Sequence, residues 1–89
     1  MLIVWDEAKR RSNVRKHELD FADAEHVFSG PTYTFEDQRF SYAERRFLTL
    51  GLLQDVVVTI AHTESADEPR IISMRKATRH EQTIFFENY

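Results

Sequence analysis

The chain has 89 residues, a length that holds one domain and not two. Such a chain buries only about 60–65% of its unfolded surface, which excludes a deep pocket and leaves a sheet surface or shallow groove as the place for any site. Its 42% hydrophobic content and seven Phe exclude disorder, its lack of cysteine excludes a disulfide framework and a thiolate zinc site, and its net charge of −3 argues against a general nucleic-acid binder.

Without disulfides, a reducing cytoplasm is the expected compartment. Met1 to Asp6 carry no basic leader, and the longest apolar run, Val56 to Ala61, is too short to span a bilayer, so no membrane contact is expected.

In chain order, Leu2 to Trp5 reads as a first strand. Asp6 follows as an N-cap, with Glu7 in the first turn where a helix favours negative charge, and the helix is predicted to end near His17. Lys9, Asn13, Lys16 and His17 share one face of it, and Asn13 is expected to be solvated. Asp20 caps a second helix whose buried stripe is Phe21, Ala24 and Phe28, and Ser29-Gly30-Pro31 ends it. Thr32 to Phe35 is strand-like, and Glu36 to Tyr42 reads as a loop or a short strand piece. Arg46 to Leu53 is a strand, Gln54-Asp55 a hairpin turn lacking the usual Gly, and Val56 to Thr63 a central strand covered on both faces. Glu64 to Pro69 is an acidic loop. Arg70 to Arg75 is the last strand, with Arg70, Ile72 and Met74 facing one way and Ile71, Ser73 and Arg75 the other. Thr78 and Glu81 fit a capping box opening a C-terminal helix that docks through Ile84 and Phe85.

The predicted class is therefore α+β, with an antiparallel sheet of four to five strands, two N-terminal helices and one C-terminal helix. The helices are expected against one apolar face of the sheet.

The charge is unevenly distributed. Lys9 to Lys16 holds five cations and no acid, and Arg70 to His80 holds four and no acid. Two such blocks in an acidic chain point to one local anion site. Gly-rich phosphate loops, metal-spaced histidine pairs and nucleophile elbows are missing, so no metal or cofactor is expected. What remains is the junction of the last strand with the last helix. Arg75, Lys76, Arg79 and His80 gather at a helix N-terminus, where cations repel unless an anion visits and where free amides attract phosphate.

Three segments carry a resemblance. Val4-Trp5-Asp6-Glu7 with Lys9, Asn13 and Lys16-His17 forms an opening. Asp37-Gln38-Arg39, then Tyr42 to Arg46 and Gly51, forms a middle. Arg70-Ile71-Ile72-Ser73-Met74-Arg75 through Ala77 to Glu81 forms a close. In this order and spacing the whole chain, 1–89, resembles the BrnT family of toxins in the RelE/ParE-like group. Three positions depart from the pattern. Glu18 stands where the family has Gly after the KH pair, so a different helix cap is expected. Ala43 stands where Gly is usual. Phe85 stands where many members have Tyr, a position that either touches substrate or packs.

The resemblance implies a RelE-like fold and a ribonuclease toxin of a type II toxin–antitoxin pair that stops translation. It also implies a ribbon-helix-helix antitoxin of the BrnA kind, operator DNA bound only through that antitoxin, and a higher-order toxin–antitoxin assembly. RNA is cut without metal when its 2′-OH attacks the adjacent phosphorus. A base takes that proton, an acid protonates the leaving oxygen, and cations stabilise the added charge. The candidates are Arg46, Arg75 and Arg79 for charge, His80 for proton transfer, and Lys9, Lys16 and a stacking Trp5 for RNA binding. Glu81 can serve as a base or only as the capping residue. The alternative is a non-catalytic module that pairs with its antitoxin and co-represses their operon.

Overall fold

The computed structural model describes residues 2–39, 44–63 and 68–89. Its elements are β1 (Val4–Trp5), α1 (Glu7–His17), a 3-10 turn (Phe21–Asp23), α2 (Ala24–Ser29), β2 (Thr32–Glu36), β3 (Arg46–Leu53), β4 (Val56–Thr63), β5 (Arg70–Lys76) and α3 (Arg79–Glu87). The α+β class and the two long central strands match the sequence reading. Between β3 and β4, Gln54 and Asp55 take φ of 50° and 67°, the positive values that a tight two-residue hairpin requires even without Gly. Ala43 lies outside the described residues, as do parts of the predicted 36–42 and 64–69 loops.

The sheet order is β1-β5-β4-β3-β2. Strands β2 to β5 form the expected antiparallel meander, but β1 runs parallel to β5, pairing Val4 with Arg70 and Trp5 with Ile71. The sheet is therefore mixed. A hairpin rule governs consecutive strands, and β1 is separated from β5 by nearly the whole chain, so nothing local sets its direction.

The helices do not share one face. Phe21, Ala24 and Val27 pack with Val58, Ile60, Ile71 and Met74 on one side of the sheet. Leu50, Val57, Ala77 and Phe85 form a second core on the other side, under α3. Alternation along β4 dictates this: Val58 and Ile60 face one way, Val57 the other, and both sides carry buried apolar residues, so each needs a cover. Phe85 is 2% exposed. Its ring is core, the packing role rather than the substrate-touching one, and burying it stabilises the docked helix by about 2–3 kcal/mol.

Strict alternation fails once, on β5. Ile71 joins Met74 in the first core because the β4–β5 register shifts between Ala61 and His62: Ser73 opposes Ala61, and Ile71 opposes His62. The bulge turns Ile71 inward. His62 beside it is buried, its Nδ1 donating to the Thr63 carbonyl (2.8 Å) and its Nε2 lying 2.6 Å from the Thr49 hydroxyl.

Asn13 is not solvated. It is 6% exposed, and its Nδ2 donates to the carbonyls of Leu19 and Met74 (2.9 Å each) while its Oδ1 accepts from the Met74 amide (3.1 Å). β1 is only two residues long, so β5 is an edge at Met74, and the Asn13 amide serves that edge as a neighbouring peptide group would. This ties α1 to β5. Asn13→Ala is expected to lower stability by about 2 kcal/mol, with three hydrogen bonds removed and three backbone groups stranded. Amide exchange at Met74 should accelerate more than elsewhere in β5, and an unchanged melting temperature would contradict the role.

At the end of α1, Glu18 itself takes the left-handed conformation (φ 58°, ψ 29°) and its amide donates to the Val14 carbonyl. The cap is thus the one Gly provides, formed by a residue that pays for its Cβ there. Gly51 answers a packing need: a Cβ on it would stand 2.5 Å from Cγ1 of Val27, so its absence lets α2 approach β3. Among the described residues, no helix is long and apolar enough to cross a membrane.

Candidate functional site

The last strand and last helix meet through one carboxylate. Thr78 caps α3, its hydroxyl accepting from the Glu81 amide, and the Glu81 carboxylate accepts from the Thr78 amide, completing the predicted capping box. Glu81 does more than cap. Its two oxygens accept from both terminal nitrogens of Arg75 (2.7 and 3.0 Å), and Oε1 also accepts from the Thr59 hydroxyl (3.0 Å). The register explains the meeting, since Thr59 on β4 is the cross-strand partner of Arg75 on β5 and α3 lies over that face. Burial pushes the Glu81 carboxyl upward, but Arg75, the Thr78 amide and the Thr59 hydroxyl outweigh it and hold it down at about 2.

The cations at this junction therefore have an internal anion, and Arg75 is not waiting unpaired for a ligand. A guanidinium has five N–H donors in a fixed fork. Arg75 gives two bonds to Glu81 and one to the Lys76 carbonyl, which leaves donors for an incoming oxygen. Its side chain is 28% exposed, so the fork is rigid and still reachable.

The other sequence candidates fall at different distances from this fork. His80 is exposed on the first turn of α3, one residue before Glu81. Arg79 is also exposed, but it leaves the helix roughly 200° round from Glu81 and lines an outer cleft with Gln82, Thr83, Phe86 and Glu87. Arg46 is not brought to the junction. It opposes Thr63 on β4, four residues from Thr59, and β4 lies between its strand and β5. That offset alone is roughly 13 Å along the strand.

Lys9 and Lys16 are brought together. With Ser12, Asn13, His17, Ile72 and Ser73 they line a groove of about 230 Å³ between α1 and β5. The face of α1 read from spacing is real, and Asn13 turns it toward the strand. Trp5 is elsewhere. Half-buried, it packs against the first core, meets Phe21 edge-on at 6.3 Å, and its indole N–H donates to Glu7 (3.4 Å).

The middle motif is held by ion pairs. Arg39 makes a two-point bond to the buried Asp37 (2.9 and 3.0 Å), and Arg45 makes one to Glu36 (3.0 and 3.1 Å) while lying over Phe47. Arg70 pairs with Glu44. These bonds brace the β2–β3 connection and the start of β5. Among the described residues, no three His, Asp or Glu side chains are grouped to hold a metal ion. Sequence reading missed Thr59 and the pairing of Glu81 with Arg75. The capping box pointed to Glu81, but only the register places Thr59 opposite Arg75.

Fold and site together define a small α+β protein whose last strand carries a braced arginine at one end and a lysine-lined groove along its edge. A family model described as a ribonuclease toxin, BrnT, of a type II toxin–antitoxin system matches residues 5–81. The chain belongs to this family, and membership makes it the toxin of such a pair and implies an antitoxin partner. A comparison with curated proteins gives no match.

Proposed function

We propose that this toxin is a metal-independent endoribonuclease of the RelE/ParE-like kind, which stops translation by cutting RNA and is silenced by a ribbon-helix-helix antitoxin of the BrnA kind. In this reading the antitoxin alone contacts operator DNA, and the pair forms a larger assembly in the cytoplasm. The observation that carries the chemistry is the Arg75 fork, fixed by Glu81 and Thr59 with N–H donors to spare, while His80 stands exposed in the same first turn of α3 as Glu81. The RNA 2′-OH gives its proton to solvent water as it attacks the neighbouring phosphorus, the P–O5′ bond breaks, and a 2′,3′-cyclic phosphate and a 5′-hydroxyl result. Arg75 stabilises the added phosphoryl charge in a geometry that needs no rearrangement. His80 gives the leaving oxygen its proton. Arg79 flanks the site and contributes to binding from the outer side of α3.

Glu81 is a poor general base here, since a carboxyl held at about 2 has little affinity for a proton. Its part is to hold Arg75. The test is incubation of the purified chain with single-stranded RNA in excess chelator. Cleavage leaving 2′,3′-cyclic phosphate ends supports the reading, and cleavage that needs added metal overturns its metal-independent part. No cleavage with or without metal leaves the operon-repressing module as the better account.

A further inference from the structure

The cations of this chain sort into two kinds. Among the described residues, Arg10, Arg39, Arg45, Arg70 and Arg75 each have a carboxylate partner, whereas Lys9 and Lys16, like Arg11, Arg15, Lys76 and Arg79, have none. Both lysines stand on the groove between α1 and β5. Lys9 is in the first turn of α1, where the positive end of the helix disfavours a cation. Asn13 shares the groove, but its amide is already committed to Met74 and Leu19. The groups left to meet a ligand are the two ammoniums, the His17 ring and the neighbouring Ser12 and Ser73.

That set suits an anion with several oxygens. The groove encloses about 230 Å³ and has no aromatic side chain other than the His17 ring. It is smaller than the roughly 300–1,000 Å³ of pockets that take a whole drug-sized ligand, and it lacks the Phe, Tyr or Trp platform on which bases usually stack. It therefore fits backbone phosphate better than a nucleoside. Ser73 lies two residues before Arg75 on β5, a rise of roughly 6.6 Å, comparable to the step between neighbouring phosphates of an extended single strand.

The geometry points to a two-phosphate clamp along β5: single-stranded RNA lies with one phosphate at the Arg75 fork and the next in the α1–β5 groove, between Lys9 and Lys16. The inference rests on the ribonuclease reading and adds how substrate is held. Since the groove reads backbone, binding through it is independent of base sequence.

The test measures binding of the full chain to 2′-O-methyl RNA oligonucleotides, which lack the attacking hydroxyl and cannot be cut. Parent, Lys9→Gln, Lys16→Gln and the double variant are compared over a range of salt, after matching their melting curves. The double variant should bind about tenfold more weakly at low salt, and its salt slope should fall by about 0.7 for each phosphate that is no longer neutralised. The weakening should be the same for oligonucleotides of different sequence. On cleavable RNA, KM should rise while kcat stays near the parent value.

Unchanged affinity and salt slope overturn the clamp, as does a weakening confined to one sequence. Lysine variants that weaken only the antitoxin make the groove a protein-binding surface and overturn it too. Lysine-dependent binding without cleavage keeps the clamp and removes the ribonuclease reading. Cleavage that ignores both lysines does the reverse.

Discussion

Replacing Glu81 by Ala is expected to cost about 3 kcal/mol of stability, more than any other single change outside the two apolar cores. The substitution strands three donors at once: the Arg75 fork, the Thr59 hydroxyl and the Thr78 amide. Breaking a well-buried ion pair costs about 3–5 kcal/mol. Arg75 keeps 28% exposure, which lowers that figure, while loss of half the capping box adds about 1 kcal/mol. In a domain of this size the melting temperature should fall by roughly 10–20 °C. Glu81→Gln should cost less, since Gln also serves in a capping box, but it leaves Arg75 without an anion. A Glu81→Ala chain that melts with the parent would remove the network from any role in stability.

The same carboxylate sets an acid limit. Its pKa is lowered from 4.5 to about 2 in the folded chain, so the unfolded state binds the proton more tightly. The contribution is fully present above about pH 4.5 and is lost as pH falls toward 2. At roughly 1.4 kcal/mol per unit it amounts to about 3 kcal/mol. Unfolding curves of parent and Glu81→Gln should therefore converge as pH drops through this window. A gap that persists unchanged at pH 2.5 would mean that the charge of Glu81 is not what stabilises the junction.

The largest effect on activity is expected from His80→Ala. An exposed residue at the second helical position contributes little to folding, within about 0.5 kcal/mol, so its variant isolates chemistry from stability. Loss of a general acid should lower kcat by about 100-fold or more. Arg79→Ala should act mainly on KM, since Arg79 leaves α3 on the far side from Glu81. Arg75→Ala is a poor substitute for either experiment, because it also strands Glu81. Arg75→Lys keeps a charge but not the fork and should recover only part of the activity. If His80→Ala cuts RNA at the parent rate with its melting curve unchanged, the proton donor lies elsewhere and His80 is a surface residue.

The middle motif shows that a recognisable pattern can serve structure. Asp37, Arg39, Glu44 and Arg45 resemble family positions, and all four form ion pairs around the β2–β3 connection or β5. Spacing alone does not separate such residues from substrate-binding ones, because both need a charge held at a fixed place. Burial and partners make the distinction, and both are tertiary quantities.

Local physics decided much of this protein in the sequence itself. The caps at Asp6, Asp20 and Thr78, the strands from Arg46 to Leu53 and Val56 to Thr63, and the shared face of Lys9, Asn13, Lys16 and His17 each depend on neighbours a few residues away, and each appears where the pattern put it. The tertiary structure decided what depends on distant partners. The direction of β1, the split of helices between two faces, the inward turn of Ile71 at its bulge and the burial of Asn13 all follow from pairings over tens of residues. The site divides along the same line. The basic blocks were legible as charge, but whether a cation is braced, as Arg75 is by Glu81, set apart, as Arg46 is by register, or left open, as Lys9 and Lys16 are, depends on which carboxylates the fold carries to it.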